Sequence, residues 1–339
     1  MELSEQKLKQ YIAGAKSLQE ALQQLYQNAP ATQEVDYFRA VLFHLANKPQ
    51  CRLYETHQHP VAISNTNIQC EISDLLLVSY SPKRLAMKVN FLQAKLAKFS
   101  DNRQGLIEKK GESFLKFHMD GTQYRLLKDC PIIKPIKTGL PPNILSDACT
   151  DSITSYGVFY KNDQSIEMAY EITQLLKPYN LSKIHLDSGD RVCFFDTIQL
   201  KYGIFPRTIC HGWRYRPLWN ECFRHHFRHP DLVSSINSNE FESALLNFQV
   251  GSPICGQLAI DFSHAIISQV KNGAANEFAN FVQNASPLWN EQEQFFIYNK
   301  ERGDNDNGNN NQRERLDGDN IGSAKYILLI NVDAEYKYE

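Results

Sequence analysis

The stretch EISDLLLVSYSPKRLAMKVNFLQAKLAK, residues 71–98, decides how this chain folds. An acidic pair, Glu71 and Asp74, leads into the apolar run Leu75-Leu76-Leu77-Val78. Ser81-Pro82-Lys83-Arg84 interrupts it, and a second apolar run ends in Gln93-Ala94-Lys95. Two β-prone runs punctuated by Pro and Ser read as two short strands joined by a turn. Side chains alternate along a strand, so Gln93 and Lys95 share one face and Ala94 takes the other. A lysine within an otherwise buried strand needs a partner, because an unpaired buried cation is costly. Asp74, on the neighbouring strand, is the carboxylate within reach. On the residues alone, that pair is either a structural ion pair or part of a site.

An aspartate on one strand followed by Q-x-K on the next resembles the PD-(D/E)XK nuclease superfamily, over residues 34–124. The resemblance implies that Asp74 is the metal-binding aspartate and Gln93 stands at the D/E position. Lys95 is then the lysine that orients or activates the attacking water. Gln93 departs from the commoner pattern, which has a carboxylate there, although glutamine variants occur in the superfamily. An amide still offers a carbonyl oxygen to a hard cation, without charge. Glu71 is the acid placed to restore that charge. In the superfamily an acid on the helix before the sheet often faces the metal. Glu34 fills that position, but an acid in a first helical turn is here read as a favourable dipole partner.

The implied fold is a mixed α/β, restriction-endonuclease-like central sheet flanked by helices, with an α+β C-terminal elaboration. In chain order we expect an N-terminal amphipathic helix in 1–30, a nuclease-like core over 31–140 and an elaboration packed on it over 141–301. A flexible polar loop at 302–322 and a strand with a tail at 323–339 complete the chain. The implied cofactor is Mg2+, or Mn2+, and the implied chemistry is hydrolysis of phosphodiester bonds in nucleic acid, DNA first. Restriction, repair and anti-phage defence in a microbial cytoplasm are the settings the resemblance suggests. A second copy of the chain, or a partner protein of a defence system, is the further partner it implies. Two other classes stay open: a catalytically inactive nuclease-like module that binds nucleic acid or protein, and a zinc-stabilised interaction protein.

Hydrophobic residues make up 42% of the 339 and charged residues 22%, ordinary for a globular protein with a sizeable core. No apolar run reaches membrane-spanning length and the first residues lack a signal-peptide pattern, so we expect a cytoplasmic protein without a membrane partner. Eight scattered cysteines without a C-x-x-C pair suit reduced thiols better than a disulfide framework.

The net charge of −2 hides an asymmetry. Residues 81–140 hold thirteen Lys and Arg against five Asp and Glu, a window of +8, leaving −10 for the rest. Such an excess beside a nuclease site suits phosphate tracking, and a solvated face is the plainer account. From it come Lys83, Arg84 and Lys98 as nucleic-acid contacts. A short helix capped by Thr122 presents Gln123, Tyr124 and Arg125 as further contacts to phosphate or metal-bound water. In 201–229, arginines including Arg214 and Arg216 alternate with aromatics, a pattern that stacks bases as readily as it packs an interface. Cys222, His225 and His229 there have helical spacing for zinc but no accompanying C-x-x-C. His57 and His59 lack further ligands nearby, and GSPICG at 251–256 lacks the Lys placement of a phosphate loop.

Apolar periodicity predicts helices over 4–27 and 33–47, the second broken in by Pro30 and capped by Thr32. It also predicts strands at 155–160 and 191–195 and helices at 166–176, 239–249, 257–271 and 275–284. The run AKYILLINVD, from Ala324, reads as a late strand that returns to pair with an existing sheet.

Overall fold

A computed structural model describes residues 3–30, 33–56, 61–64, 69–97, 106–109, 112–135, 139–162, 165–178, 190–196, 236–270, 275–303 and 324–334. The stripe expected as one helix over 4–27 forms two, α1 (Glu5–Tyr11) and α2 (Leu18–Asn28). Gly14 breaks it at φ +80°, a left-handed conformation that glycine adopts without strain, and the Ser17 side chain caps α2 by accepting from the Glu20 amide. Helix α3 (Glu34–Ala46) starts at Gln33, whose side chain makes no cap bond, so the expected Thr32 cap is replaced. Strands β1 (Cys51–Glu55), β2 (Val61–Ile63) and β3 (Gln69–Cys70) follow.

The quoted stretch forms the hairpin read from it: β4 (Ser73–Ser81) and β5 (Ala86–Leu96), antiparallel. Then come β6 (Leu106–Lys109), β7 (Glu112–Asp120), α4 (Gly121–Asp129), β8 (Ile133–Pro135) and β9 (Thr154–Asn162). The helix expected over 166–176 is instead β10 (Ser165–Ile172), paired with β9 along its whole length. Ile166, Met168, Tyr170 and Ile172 are buried and alternate with period two, the strand period, which outweighed the helical reading. Further on lie β11 (Lys177–Pro178), β12 (Asp190–Asp196), α5 (Ser238–Leu246), β13 (Ser252–Ile254), α6 (Gly256–Gln269), α7 (Ala275–Gly303) and β14 (Ala324–Asn331).

The central sheet runs β1-β14-β4-β5-β9-β10. It is mixed: β14 lies parallel to β4 and β9 parallel to β5, while the other neighbours are antiparallel. The late strand therefore returns, as read, and sits between two strands formed far earlier in the chain. Residues 87–89 of β5 pair with β13 and residues 91–96 with β9, so two elements share one edge of this strand. At that seam Gly251 has φ +92°, and an added Cβ would stand 2.8 Å from the Val89 carbonyl oxygen.

Helices cover both faces. Leu75, Leu77, Leu92 and Leu328 pack in one apolar cluster with Leu22, Leu25, Val41 and Leu45 of α2 and α3. Leu76, Val78, Phe91 and Leu329 pack in the other with Tyr124 and Leu127 of α4, Phe262 of α6 and Phe278 of α7. This is a mixed α/β architecture with a central sheet between helical layers, as expected. A second sheet, β11-β12-β7-β6, leads through β7 into α4, and β2 joins β3 and β8 in a third. At the junction of α2, α3 and α5, the buried Glu242 accepts from the Leu18 amide at 2.7 Å and bonds His44 at 3.1 Å and Lys48 at 2.6 Å.

Candidate active site

The β4–β5 register pairs Leu75 with Leu92, so one step further Asp74 stands opposite Gln93. Directly opposed residues of an antiparallel pair point to the same face, and Lys95 joins them two residues on. The Gln93 amide nitrogen donates to Asp74 Oδ2, and the Ala94 backbone amide donates to the same oxygen at 2.9 Å. Gln93 is buried, Asp74 and Lys95 half-buried.

Three groups complete the constellation. Helix α4 starts directly after β7, with Asp120 as its cap: the carboxylate accepts from the Gln123 amide at 2.7 Å. Asp120, not Thr122, thus sets the helix start. The cap turns the Gln123 side chain inward, where its nitrogen donates to Gln93 Oε1 at 2.7 Å and to the Glu71 carbonyl at 3.1 Å. From the other layer Glu34, in the first turn of α3, accepts the Leu96 amide at 2.7 Å.

Burial raises the Asp74 carboxyl to about 6. The Ala94 hydrogen bond and the Lys95 charge oppose this, while the Glu34 and Glu71 charges reinforce it. A cation-binding carboxylate held among other acids behaves this way, and so does any acid drawn into a partly apolar end of a sheet. Asp74 and Glu34 offer carboxylate oxygens, the kind of donor that fits a hard cation such as Mg2+ or Mn2+ rather than zinc, whereas the Gln93 carbonyl oxygen is turned to Gln123. Among the described residues, however, no three His, Cys, Asp or Glu side chains come together as a metal-holding group.

No protein-family model, characterised protein or solved structure matches this chain.

The hairpin separates the expected residues into two groups. Asp74, Gln93, Lys95, Gln123 and the Glu71 carbonyl meet at its open end. Lys83 and Arg84 lie in its turn, beyond Ser81, and Asp74 to Ser81 alone spans roughly 23 Å at a strand's rise per residue. There the Lys83 amide donates to Asp333 at 2.8 Å and the Arg84 guanidinium lies 5.7 Å from the Phe248 ring centroid. The basic excess thus does not begin beside the site, because a hairpin turn is remote from its own open ends. Tyr124, read as a phosphate contact, is 1% exposed, with its hydroxyl toward the Leu176 carbonyl, so it belongs to the core. Gln123, read as a contact to phosphate or metal-bound water, bonds Gln93 and the Glu71 carbonyl, and Arg125 is half-buried on the same helix. Lys98, Arg214, Arg216, His57, His59, the Cys/His segment 210–229 and residues 304–322 of the polar loop lie outside the described residues. Glu34, read from the sequence as a dipole partner, does lie in the first turn of α3, and it also accepts the Leu96 amide. That second contact spans 62 residues of chain and carries no local signal.

Proposed function

We propose that the chain is a metal-dependent nuclease that hydrolyses phosphodiester bonds, with DNA the first substrate to test. One observation carries this reading: Asp74, Gln93 and Lys95 meet on one face at the open end of the β4–β5 hairpin, with Glu34 reaching the end of β5 from α3. The connection from β5 through α4 to the parallel strand β9 supports a restriction-endonuclease-like arrangement of the core.

In this reading Asp74 holds Mg2+ or Mn2+ with Glu71, as read from the sequence, and Glu34 as the further acids whose charges it feels. Gln93 would assist once its amide turns its oxygen toward the cation, and the bound cation would supply charge stabilisation at the phosphate. Lys95, on the same strand face as Gln93 and close enough for its charge to lower the Asp74 carboxyl, would orient the attacking water and offset the charge that grows on the phosphoryl oxygens. A mobile DNA or RNA strand is the substrate. With few anionic ligands, the cation is held weakly.

The second reading is a catalytically silent module of the same build. What favours it is the Gln93 nitrogen, which donates to Asp74 where an active site would direct an oxygen to the cation. A panel of single-stranded DNA, double-stranded DNA and RNA, each with Mg2+, Mn2+ or EDTA, separates the two. Cation-dependent cleavage that disappears in Asp74→Ala supports the nuclease. Binding without cleavage supports the silent module, and strong cleavage in excess EDTA contradicts the first reading.

A further inference from the structure

The polar groups around Gln93 form a directional chain. The Glu71 carbonyl only accepts, so the Gln123 side chain must turn its nitrogen toward it. That same nitrogen has a second hydrogen, which it gives to Gln93 Oε1 at 2.7 Å. With its oxygen engaged there, Gln93 presents its nitrogen to Asp74, whose carboxylate also only accepts. Both glutamines are buried, at 4% and 8% exposure, so neither amide turns without leaving polar groups unmatched. Turning Gln93 alone would set an N–H2 group against the N–H2 of Gln123 and a carbonyl oxygen against Asp74.

We infer that Gln123 is a positioning residue that fixes the Gln93 amide with its nitrogen toward Asp74, and thereby weakens the site for a divalent cation. This rests on reading Asp74 as a cation ligand. A hard cation takes carbonyl and carboxylate oxygens. The Gln123 bond directs the only neutral oxygen of the pair away from Asp74, and the Gln93 nitrogen competes for one of the Asp74 oxygens. Gln123 touches neither cation nor substrate; it acts through Gln93.

The test is Mn2+ binding to the full-length protein by isothermal titration calorimetry, with free Mn2+ counted independently by its electron paramagnetic resonance. Gln123→Leu frees Gln93 to turn its oxygen inward, and binding should tighten about tenfold, the scale of one relieved hydrogen-bond mismatch. Gln123→Glu keeps the shape, and a carboxylate there accepts only, so it gives up the bond to the Glu71 carbonyl and Gln93 must turn its nitrogen to it; binding should tighten again. Should Gln123→Leu fail to fold, the isosteric Gln123→Glu still answers. Both substitutions are repeated in a Gln93→Ala background, where the effect should vanish for Gln123→Leu and shrink to a charge effect for Gln123→Glu. Equal tightening in both backgrounds, or no tightening in the parent, overturns the inference while leaving the cation site standing. Absence of Mn2+ binding in the parent, in both Gln123 variants and in Gln93→Glu overturns the cation site and the inference with it.

Discussion

The Glu34 carboxylate accepts the Leu96 amide at 2.7 Å, so the first turn of α3 is tied to the last residue of β5. That bond holds a second acid near enough for its charge to raise the Asp74 carboxyl, from the opposite helical layer. Glu34→Gln keeps an oxygen acceptor for the Leu96 amide and removes the charge. The protein should stay folded, with a melting temperature close to the parent's. Asp74 should then titrate below about 6, since one of the acids that raise it is gone. Mn2+ affinity should fall by an order of magnitude or more if Glu34 is a ligand, which calorimetry measures directly.

Lys95→Ala should abolish cleavage, by about 10²- to 10³-fold as for loss of one charge-stabilising donor, and leave the fold nearly intact. The same change should raise Asp74 further, because the Lys95 charge lowers it. Circular dichroism and a nicking assay check both halves. A variant that unfolds makes Asp74–Lys95 a structural ion pair; a variant that cleaves like the parent removes Lys95 from the site.

Asp74 gives a pH dependence with a definite sign. Its folded value, about 6, lies above the ordinary 3.8, so the native state holds more protons than the unfolded chain between those values. This group's contribution to stability is therefore greatest below pH 4 and is lost as pH rises through 6, by up to about 3 kcal/mol. Asp74→Asn, with its amide oxygen in the Oδ2 position, should raise the melting temperature at pH 8 and not at pH 4. Cation-dependent activity of the parent should follow the opposite course, climbing through pH 6 as the carboxylate ionises.

Glu242 behaves in the reverse sense. Burial would raise its carboxyl, but the His44, Lys48 and Leu18 hydrogen bonds outweigh this and hold it down to about 2. The stability it contributes is present above pH 4.5 and is lost as pH falls toward 2. Glu242→Gln removes the charge from beside Lys48 and should cost roughly 3 kcal/mol at pH 7 in a urea titration, with a smaller difference at pH 3.

Gly251→Ala should destabilise by about 1–3 kcal/mol, since it adds strain at a positive φ and a Cβ 2.8 Å from the Val89 carbonyl oxygen. Its effect should fall on β13 and the start of β5, seen as faster hydrogen exchange there, with little change at Gln93.

The hairpin, β9 and the return of β14 were legible because each is an apolar, β-prone run, and the shared face of Gln93 and Lys95 because side chains alternate along a strand. The β10 segment misled because Ile166, Ala169 and Tyr170 also fit a helical stripe, and only pairing with β9 decides between the periods. Gly14 within the first stripe was visible, and its power to divide the helix depended on Ser17 being ready to cap the next one. The site was half legible. Asp74 opposite Gln93 follows from the hairpin, whereas Glu34 and Gln123 reach it across 62 and 30 residues of chain. The remoteness of Lys83 and Arg84 was legible too, from the hairpin itself, and charge counting obscured it.

The position of β14 has a consequence for synthesis. A ribosome that has made 300 residues has made every strand of the central sheet but one, and the missing strand belongs between β1 and β4. Until residues 324–331 emerge, the β4–β5 hairpin bears an open edge along β4, lined with unpaired amides and carbonyls. The sheet therefore closes late, and nascent chains stalled before residue 324 should be those that recruit chaperones and aggregate. A site at the end of β4 thus becomes firm only after residues 324–331 have been made.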